Sequence, residues 1–417
     1  MTTASGIEKK VILAPQATKG TCAVANLTTA QYLRRVTSNL NLQKETYQSN
    51  EMRADRQIGD FRHGVQSIEG SISGELSPGT YEKFMAAILR KAWVTAPASG
   101  KESDITAAVT TGNAGTFTSA ATATFLQDGL KVGDVVRQTG GTGDAAGNNA
   151  RNFLITALTD KVMTGLMLDG SPVVAAVSGD ELTFAGVGKK TWTPSTGHTE
   201  DWFSIEHNYS DVDLSEVFWD LKVNSMAVKL PATGISTIDF GLMGLNHTNY
   251  ASGNSPYFSA VLAACTKGVL AAVNGAIYVE GTKIALITGM DFDIAANLSS
   301  EPVVGSNVKP DIFDGRVMVK GNMTVFFEDA TFRDYFENES EVTINCVLTT
   351  AQTATADFLS FTFPRVKVGG AAKDDGEKGI VQTMPFVALF DTSAGPDTGA
   401  TATATLATTM SIQDSSL

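Results

Sequence analysis

Asp60-Phe61-Arg62-His63-Gly64 leads into Gln66, Ile68, Gly70, Ile72, Gly74 and Leu76 at every second position, and the whole pattern returns 251 residues later. There Asp311-Ile312-Phe313-Asp314-Gly315 leads without a gap into Val317, Val319, Gly321, Met323, Val325 and Phe327. In the first copy Ser67, Glu69, Ser71, Ser73 and Glu75 interleave. Such a period of two predicts a strand with one dry face and one wet face. The second copy is less strict, because Met318 and Phe326 sit on the interleaved face.

Working outward, the same offset carries Thr80, Tyr81, Phe84 and Met85 onto Thr331, Phe332, Tyr335 and Phe336. Each Thr stands where its hydroxyl would N-cap a helix, and Asp329 suits the positive end of the second one. Tyr81, Phe84, Met85, Ile88 and Leu89 fall on one helical stripe. Upstream, an offset of 250 sets Leu40 and Leu42 on Met290 and Phe292, and Ser49-Asn50-Glu51 on Ser299-Ser300-Glu301. Downstream, Phe203–Ile205 matches Val342–Ile344 at 139, Val223–Lys229 matches Phe361–Lys367 at 138, and Ile235–Leu242 resembles Ile380–Val387. The chain is therefore read as a duplication. The fold expected is mainly β, with two tandem β-sandwich or barrel units that each carry one short α-helix. The first occupies 1–100 and 191–250, and the second 251–417.

The drop in offset leaves an insert at 101–190, rich in Thr, Ala and Gly. Candidate strands at Asp134–Gln138, Asn152–Leu158, Val162–Leu168 and Glu181–Phe184 predict a small all-β domain, a barrel or an Ig-like sandwich. The stretch Thr401–Ile412 reads as a last strand or a frayed tail. The whole chain of 417 residues is 43% hydrophobic and 18% charged, which excludes a disordered protein. Its net charge is −13, of which the insert carries −2 and the duplicated body −11, an unsuitable surface for gripping nucleic acid or anionic lipid. Cys22, Cys265 and Cys346 form neither a disulfide framework nor a zinc cluster and predict a reducing compartment. The apolar stretch Val11–Ala14 stops at Pro15, short of a secretory h-region, and no apolar run is long enough for a membrane helix.

Chemical motifs are weak. Gly186-Val187-Gly188-Lys189-Lys190-Thr191 has a Lys where a phosphate loop needs Ser or Thr, so a domain-exit loop is expected. His198 and His207 lie beside Glu200, Asp201 and Glu206 and read as solvated strand ends rather than a metal site. Asp211, Asp213 and Glu216 lack the spacing and glycine of a calcium loop. No nucleophile elbow or protease signature is present, so no catalytic residue, metal site or cofactor is assigned.

Two features need a cause. Gln43–His63 and its counterpart near Ala295–Asp314 are far longer than the roughly 2–5 residues of a hairpin loop. The first balances Lys44, Arg53, Arg56 and Arg62 against Glu45, Glu51, Asp55 and Asp60, a pattern suited to docking on another copy. The second feature is a wet strand face in an acidic body. Leu40-Asn41-Leu42, the long polar loop, Ser67–Leu76, the helix Tyr81–Leu89 and the ending Met410–Asp414 together resemble the major tail tube proteins of siphophages. That resemblance implies a structural virion protein, assembled in the host cytoplasm, whose rings stack into a tube that conducts the genome. It implies as partners further copies of the chain, other tail proteins at the tube ends, and DNA passing without specific binding; no membrane is implied. Two units per chain predict homotrimeric, pseudo-hexameric rings. The expected channel lining is Asn39, Asn41, Glu69, Ser71, Ser73 and Glu75, with Asp291, Asp293, Lys320, Asn322 and Thr324. The residues expected to join successive rings are Lys44, Glu45, Glu51, Arg53, Asp55, Arg56, Asp60 and Arg62, together with Glu301, Lys309 and Asp311. The insert is expected on the tube exterior. The alternative function is an extracellular β-sandwich adhesin or surface-array subunit, and a glycan-active enzyme would need a paired-acid cleft.

Overall fold

The computed structural model describes residues 3–24, 29–98, 101–119, 125–251, 256–375, 377, 379–395 and 403–417, with backbone only at 101–105, 145 and 177–180. Its longer elements begin with β1 (Lys9–Gln16), β2 (Asn41–Gln48), β3 (Phe61–Glu75) and α1 (Glu82–Leu89). The insert follows with β4 (Lys101–Thr111), β5 (Ala114–Ser119), β6 (Val135–Gly141), β7 (Asn152–Leu158), β8 (Val162–Met167) and β9 (Ala176–Gly186). The chain returns through β10 (Lys189–Trp192), β11 (Trp202–Tyr209), β12 (Leu214–Pro231) and β13 (Thr237–Tyr250). Then come β14 (Gly275–Val279), β15 (Ile287–Ala295), β16 (Met318–Phe326), α2 (Thr331–Glu337), β17 (Glu341–Thr349), β18 (Phe358–Val368), β19 (Val381–Ala388) and β20 (Ser411–Asp414).

Pairing repeats between the halves. β1 lies on β11 as β14 lies on β17, and the hairpins β11–β12 and β17–β18 correspond. β3 runs between β2 and β13, as β16 runs between β15 and β19, all antiparallel. The fold is mainly β, in tandem sandwich units with short helices. One apolar core threads both units, from Ile68, Ile72 and Phe84 through Phe240 to Phe292, Val319 and Phe386. Phe84 meets Phe203 and Phe240 at centroid distances of 5.5 and 5.1 Å, and Phe292 meets Phe361 and Phe363 at 5.1 and 5.2 Å. Each such buried ring stabilises the fold by about 1.5–3 kcal/mol.

The ladders correct three of the expected correspondences. Asn41 faces Glu69 and Asp293 faces Lys320, which sets Leu40 and Leu42 on Phe292 and Ile294. Phe203 faces Leu221 and Val342 faces Val366, so Leu221 corresponds to Val366 and the offset there is 145 rather than 138. Thr237 faces Glu75 and Val381 faces Phe326, so Phe240 corresponds to Met384. The three corrections are of two, seven and one residues, because apolar strands match their copies nearly as well in several registers, and only the ladder fixes the right one.

The helices also depart from expectation. The α1 stripe Tyr81, Phe84, Met85, Ile88 and Leu89 is buried, but no α2 residue is. Neither Thr is an N-cap. Thr80 bonds Ser77 Oγ at 2.6 Å, one residue before the Tyr81 cap position, and Thr331 is already helical, its N–H donating to Asp329 Oδ1 at 2.8 Å.

The insert closes into a six-stranded barrel, β7-β8-β5-β4-β9-β6, not a sandwich. Phe117, Phe153 and Phe184 fill its centre. β7 matches the expected strand, whereas β4 and β5 went unpredicted because Thr, Ala and Gly give little apolar contrast. The barrel does not stand free. Val135, Leu154, Leu166 and Val187 pack against Tyr278, Val347 and Phe358 of the second unit. β20 inserts between β10 and β18, so the C-terminal stretch ends as a strand, while Thr401 and Ala402 lie outside the described residues.

Candidate channel wall and assembly faces

β12 joins the two units. Its first half pairs with β11, and Ser225–Pro231 pairs instead with Ala295–Gly289 of β15, while β13 lies along its other edge throughout. The result is one uninterrupted sheet, β2-β3-β13-β12-β15-β16-β19. One face carries Ile68, Ile72, Phe240, Val228, Phe292, Val319 and Phe386 into the core. By alternation, the opposite face is wet.

Rows of residues cross that wet face from unit to unit. Ser73, Asp239, Ala227, Asp293, Lys320 and Val387 stand opposite one another in turn, as do Glu75, Thr237, Lys229, Asp291, Asn322 and Pro385. Asn41 faces Glu69, Asn39 Oδ1 accepts from Ser71 N, and Thr324 faces Gly289 and Thr383. Strand alternation places Asn39, Asn41, Glu69, Ser71, Ser73, Glu75, Asp291, Asp293, Lys320, Asn322 and Thr324 on one face of this sheet. Asn322 Nδ2 donates to Asp291 Oδ2 at 3.1 Å across the strands. Lys229, Thr237, Asp239 and Thr383 belong to the same face and were missed. The signal was present in the apolar alternations Met226-Val228-Leu230 and Ile238-Phe240-Leu242. Glu69, Glu75, Asp239, Asp291 and Asp293 against Lys229 and Lys320 leave the face at −3. Burial raises the Asp239 carboxyl pKa, and the Lys229 charge opposes that shift.

The long connections fold differently from each other. β2 and β3 continue as a hairpin arm beyond β13, which pairs only with Ile68–Glu75, so the free turn is residues 49–60 rather than twenty-odd. Lys44, Glu45, Glu51, Arg53, Asp55, Arg56, Asp60 and Arg62 are all exposed there. Arg53 pairs with Asp55 at 3.0 Å and Arg62 with Asp60 at 2.8 Å. The second connection folds back on the first unit. Asp311 pairs with Lys19 at 2.8 Å, Ile312 is buried against Trp202 and Leu245, and Asp314 meets Arg90 at 3.0 Å and Lys222 at 3.2 Å. Glu301 is exposed and Lys309 half-buried.

A family model described as phage tail tube protein matches residues 6–388. The chain belongs to this family. Comparison with curated proteins returns no match. A tail tube protein is a structural component of the virion that assembles with its own kind into a tube, not an enzyme, and the adhesin reading has no support.

The remaining polar clusters of the tail tube protein serve the fold. His207 and Glu206 are not at a solvated strand end but inside. Residues Trp202–Asn208 are all buried, because β11 is central in its sheet and the segment at Tyr257–Phe258 covers it. Glu206 accepts from Ser215 Oγ at 2.5 Å and Phe258 N at 3.1 Å, and also from Tyr257 N; burial still raises its pKa. Asp220 accepts from Gln16 Nε2 at 2.9 Å, Gly20 N at 2.8 Å and Asn246 Nδ2 at 2.8 Å, tying β1, β12 and β13. The Gly186–Thr191 loop leads from the barrel into β10, and Lys190 is buried on Asp134 at 2.5 Å. Among the described residues, no group of three His, Cys, Asp or Glu side chains is placed to hold a metal ion.

Proposed function

We propose that three copies of this tail tube protein close into a pseudo-hexameric ring, that rings stack axially, and that the wet face of the joined sheet lines the channel. The supporting observation is the unbroken sheet through both units. With Ala372–Lys373 beyond β19, each chain offers eight strands in breadth. Three chains then close roughly 24 strands, above the ~16–18 that already leave an aqueous channel in closed barrels. Closure also removes the two open edges that would otherwise invite aggregation.

On this reading Asn39, Asn41, Glu69, Ser71, Ser73, Glu75, Asp291, Asp293, Lys320, Asn322 and Thr324 face the passing genome. Duplex DNA carries about one charge per 1.7 Å of axis, so a basic wall would hold it through counterion release. An acidic wall lets it slide. The arm tip, Glu51–Asp60, continues along the strand direction past the sheet and is assigned to contact with the next ring; Glu301 and Lys309 lie on the corresponding second loop. The barrel at 101–190 occupies the exterior, on the side of the second unit away from the wet face. Rings form in the host cytoplasm, and other tail proteins complete the tube ends.

Changing Glu69 and Glu75 together to Lys tests the wall. Tubes are expected to form normally while DNA release slows, most strongly at low salt. Release kinetics identical to those of the parent would contradict the assignment.

A further inference from the structure

The joint between the two units inside one chain has two parts, and a second set of both parts stands unused at the opposite ends of the molecule. The first part is the ladder of Ser225–Pro231 on Gly289–Ala295. Asn41 faces Glu69 as Asp293 faces Lys320, so Asn39–Gln43 repeats the Asp291–Ala295 edge. Ala372 faces Thr383, which faces Thr324, as Ala227 faces Asp239, which faces Ser73. Gly370–Asp374 therefore repeats Ser225–Lys229. Among the described residues, no strand pairs with the outer edge of either segment.

The second part is an apolar seat. Ile312, 2% exposed, lies against Trp202, Leu245 and Met243. Its counterpart in the repeat is Phe61, opposite Gln48 at the outer end of the paired arm where the free turn begins, and 55% exposed. Val387 faces Lys320 as Met243 faces Glu69, so the counterpart of the seat is Val387, Leu389 and the adjacent Phe390. Val387 and Phe390 are each 41% exposed. An exposed aromatic ring and an exposed apolar patch thus occupy the two positions that meet inside the chain.

We infer that Phe61 of one chain seats on Val387, Leu389 and Phe390 of a second copy, while the Asn39–Gln43 edge of the first pairs antiparallel with the Gly370–Asp374 edge of that copy. This rests on the ring reading and supplies its contact. Two elements of the internal joint are not repeated. Trp202 has the charged Glu341 as its counterpart, so Phe390 supplies the aromatic side of the second seat from a different position. Asp314, held by Lys222 and Arg90, has His63 as its counterpart, and Lys367, the counterpart of Lys222, already meets Glu339 at 3.6 Å and Glu341 at 3.8 Å within its own chain. The contact between copies keeps the ladder and the apolar seat without that ion pair, which suits a joint made only on assembly.

Asn41→Cys with Ala372→Cys, placed opposite each other in this register, tests the edge in a chain also carrying Cys22→Ser and Cys265→Ser. Oxidised assemblies on a non-reducing gel are expected to show a covalent ladder ending at three chains. Tubes that form with no cross-link overturn this contact and leave the ring reading standing. A ladder ending at six chains upholds the contact and overturns the three-chain ring. Phe61→Asp and Val387→Asp are expected each to lower the assembled fraction at least ten-fold in sedimentation, with the melting temperature of the unassembled chain unchanged. Unimpaired assembly of both variants overturns the seat.

Discussion

His207 shows how far a single side chain departs from its sequence context. Its ring lies 5.1 Å from Phe218 and Nε2 meets Ser38 Oγ at 2.8 Å. Burial, with Lys9, Arg35 and His247 nearby, lowers its pKa from 6.5 to about 3. The unfolded chain therefore binds the extra proton first as pH falls below about 6.5, so stability is full above that value and is lost toward pH 3. At pH 5 the loss from this group is about 2 kcal/mol. Asp414 works the other way, since burial raises it to about 6 and its contribution is lost as pH rises through that value. Comparison of variants separates the two. His207→Phe should lose about 2 kcal/mol less than the parent between pH 7 and 5 in urea unfolding, and equal losses would contradict the account. The ion pair of Lys190 with Asp134 predicts a larger effect. Lys190→Met removes the ammonium bonded to the buried Asp134 carboxylate and should cost about 3–5 kcal/mol in the same assay. Neither His207 nor Lys190 announced itself in the sequence. β11 is buried along both faces, so the alternation of polar and apolar residues that marks a half-wet strand is absent.

Elements were legible where one face is wet. β3 and α1 could be read because Ile68 and Ile72 alternate with acids and serines, and because Tyr81 to Leu89 form one stripe. The β2–β3 arm was read as a loop, since its exposed residues carry no apolar period to reveal the hairpin. Deleting Glu51–Asp60 should leave the melting temperature unchanged and give soluble rings that do not stack; long tubes in electron micrographs would reject the stacking role. The barrel's attachment hangs on a short element. Gly188 has φ +67°, and a Cβ there would come within 1.9 Å of the Asp414 carbonyl. Gly188→Ala should cost at least about 1–2 kcal/mol and loosen β10 from β20, seen as faster proteolysis of the insert. Unchanged melting and cleavage would show that this junction does not hold the barrel.

At the scale of the molecule, the duplication was plain in the sequence but its register was not. β18 is buried at consecutive positions from Phe358 to Pro364, so it carries no alternation to fix its register, and Leu221 could be matched to Val366 only through the ladder. The same ladders put eleven scattered residues on one face and add the polar residues Lys229, Thr237, Asp239 and Thr383 to it. They also show why two units in one chain make a sound building block. In the proposed ring β12 and β15 form one of every two joints, and the ion pairs of Asp311 and Asp314 hold that joint within the single chain. Loss of that lock should be felt in the single chain: Asp314→Asn is expected to lower its stability by about 1–3 kcal/mol, measured by chemical unfolding, because Lys222 is buried beside it.

The most direct measurement is a helical reconstruction of the assembled tube by cryo-electron microscopy. The account predicts three chains per ring around an open passage, with Glu69, Glu75, Asp291 and Asp293 pointing into it. A passage lined by the opposite side of this sheet, or six chains per ring, would contradict it.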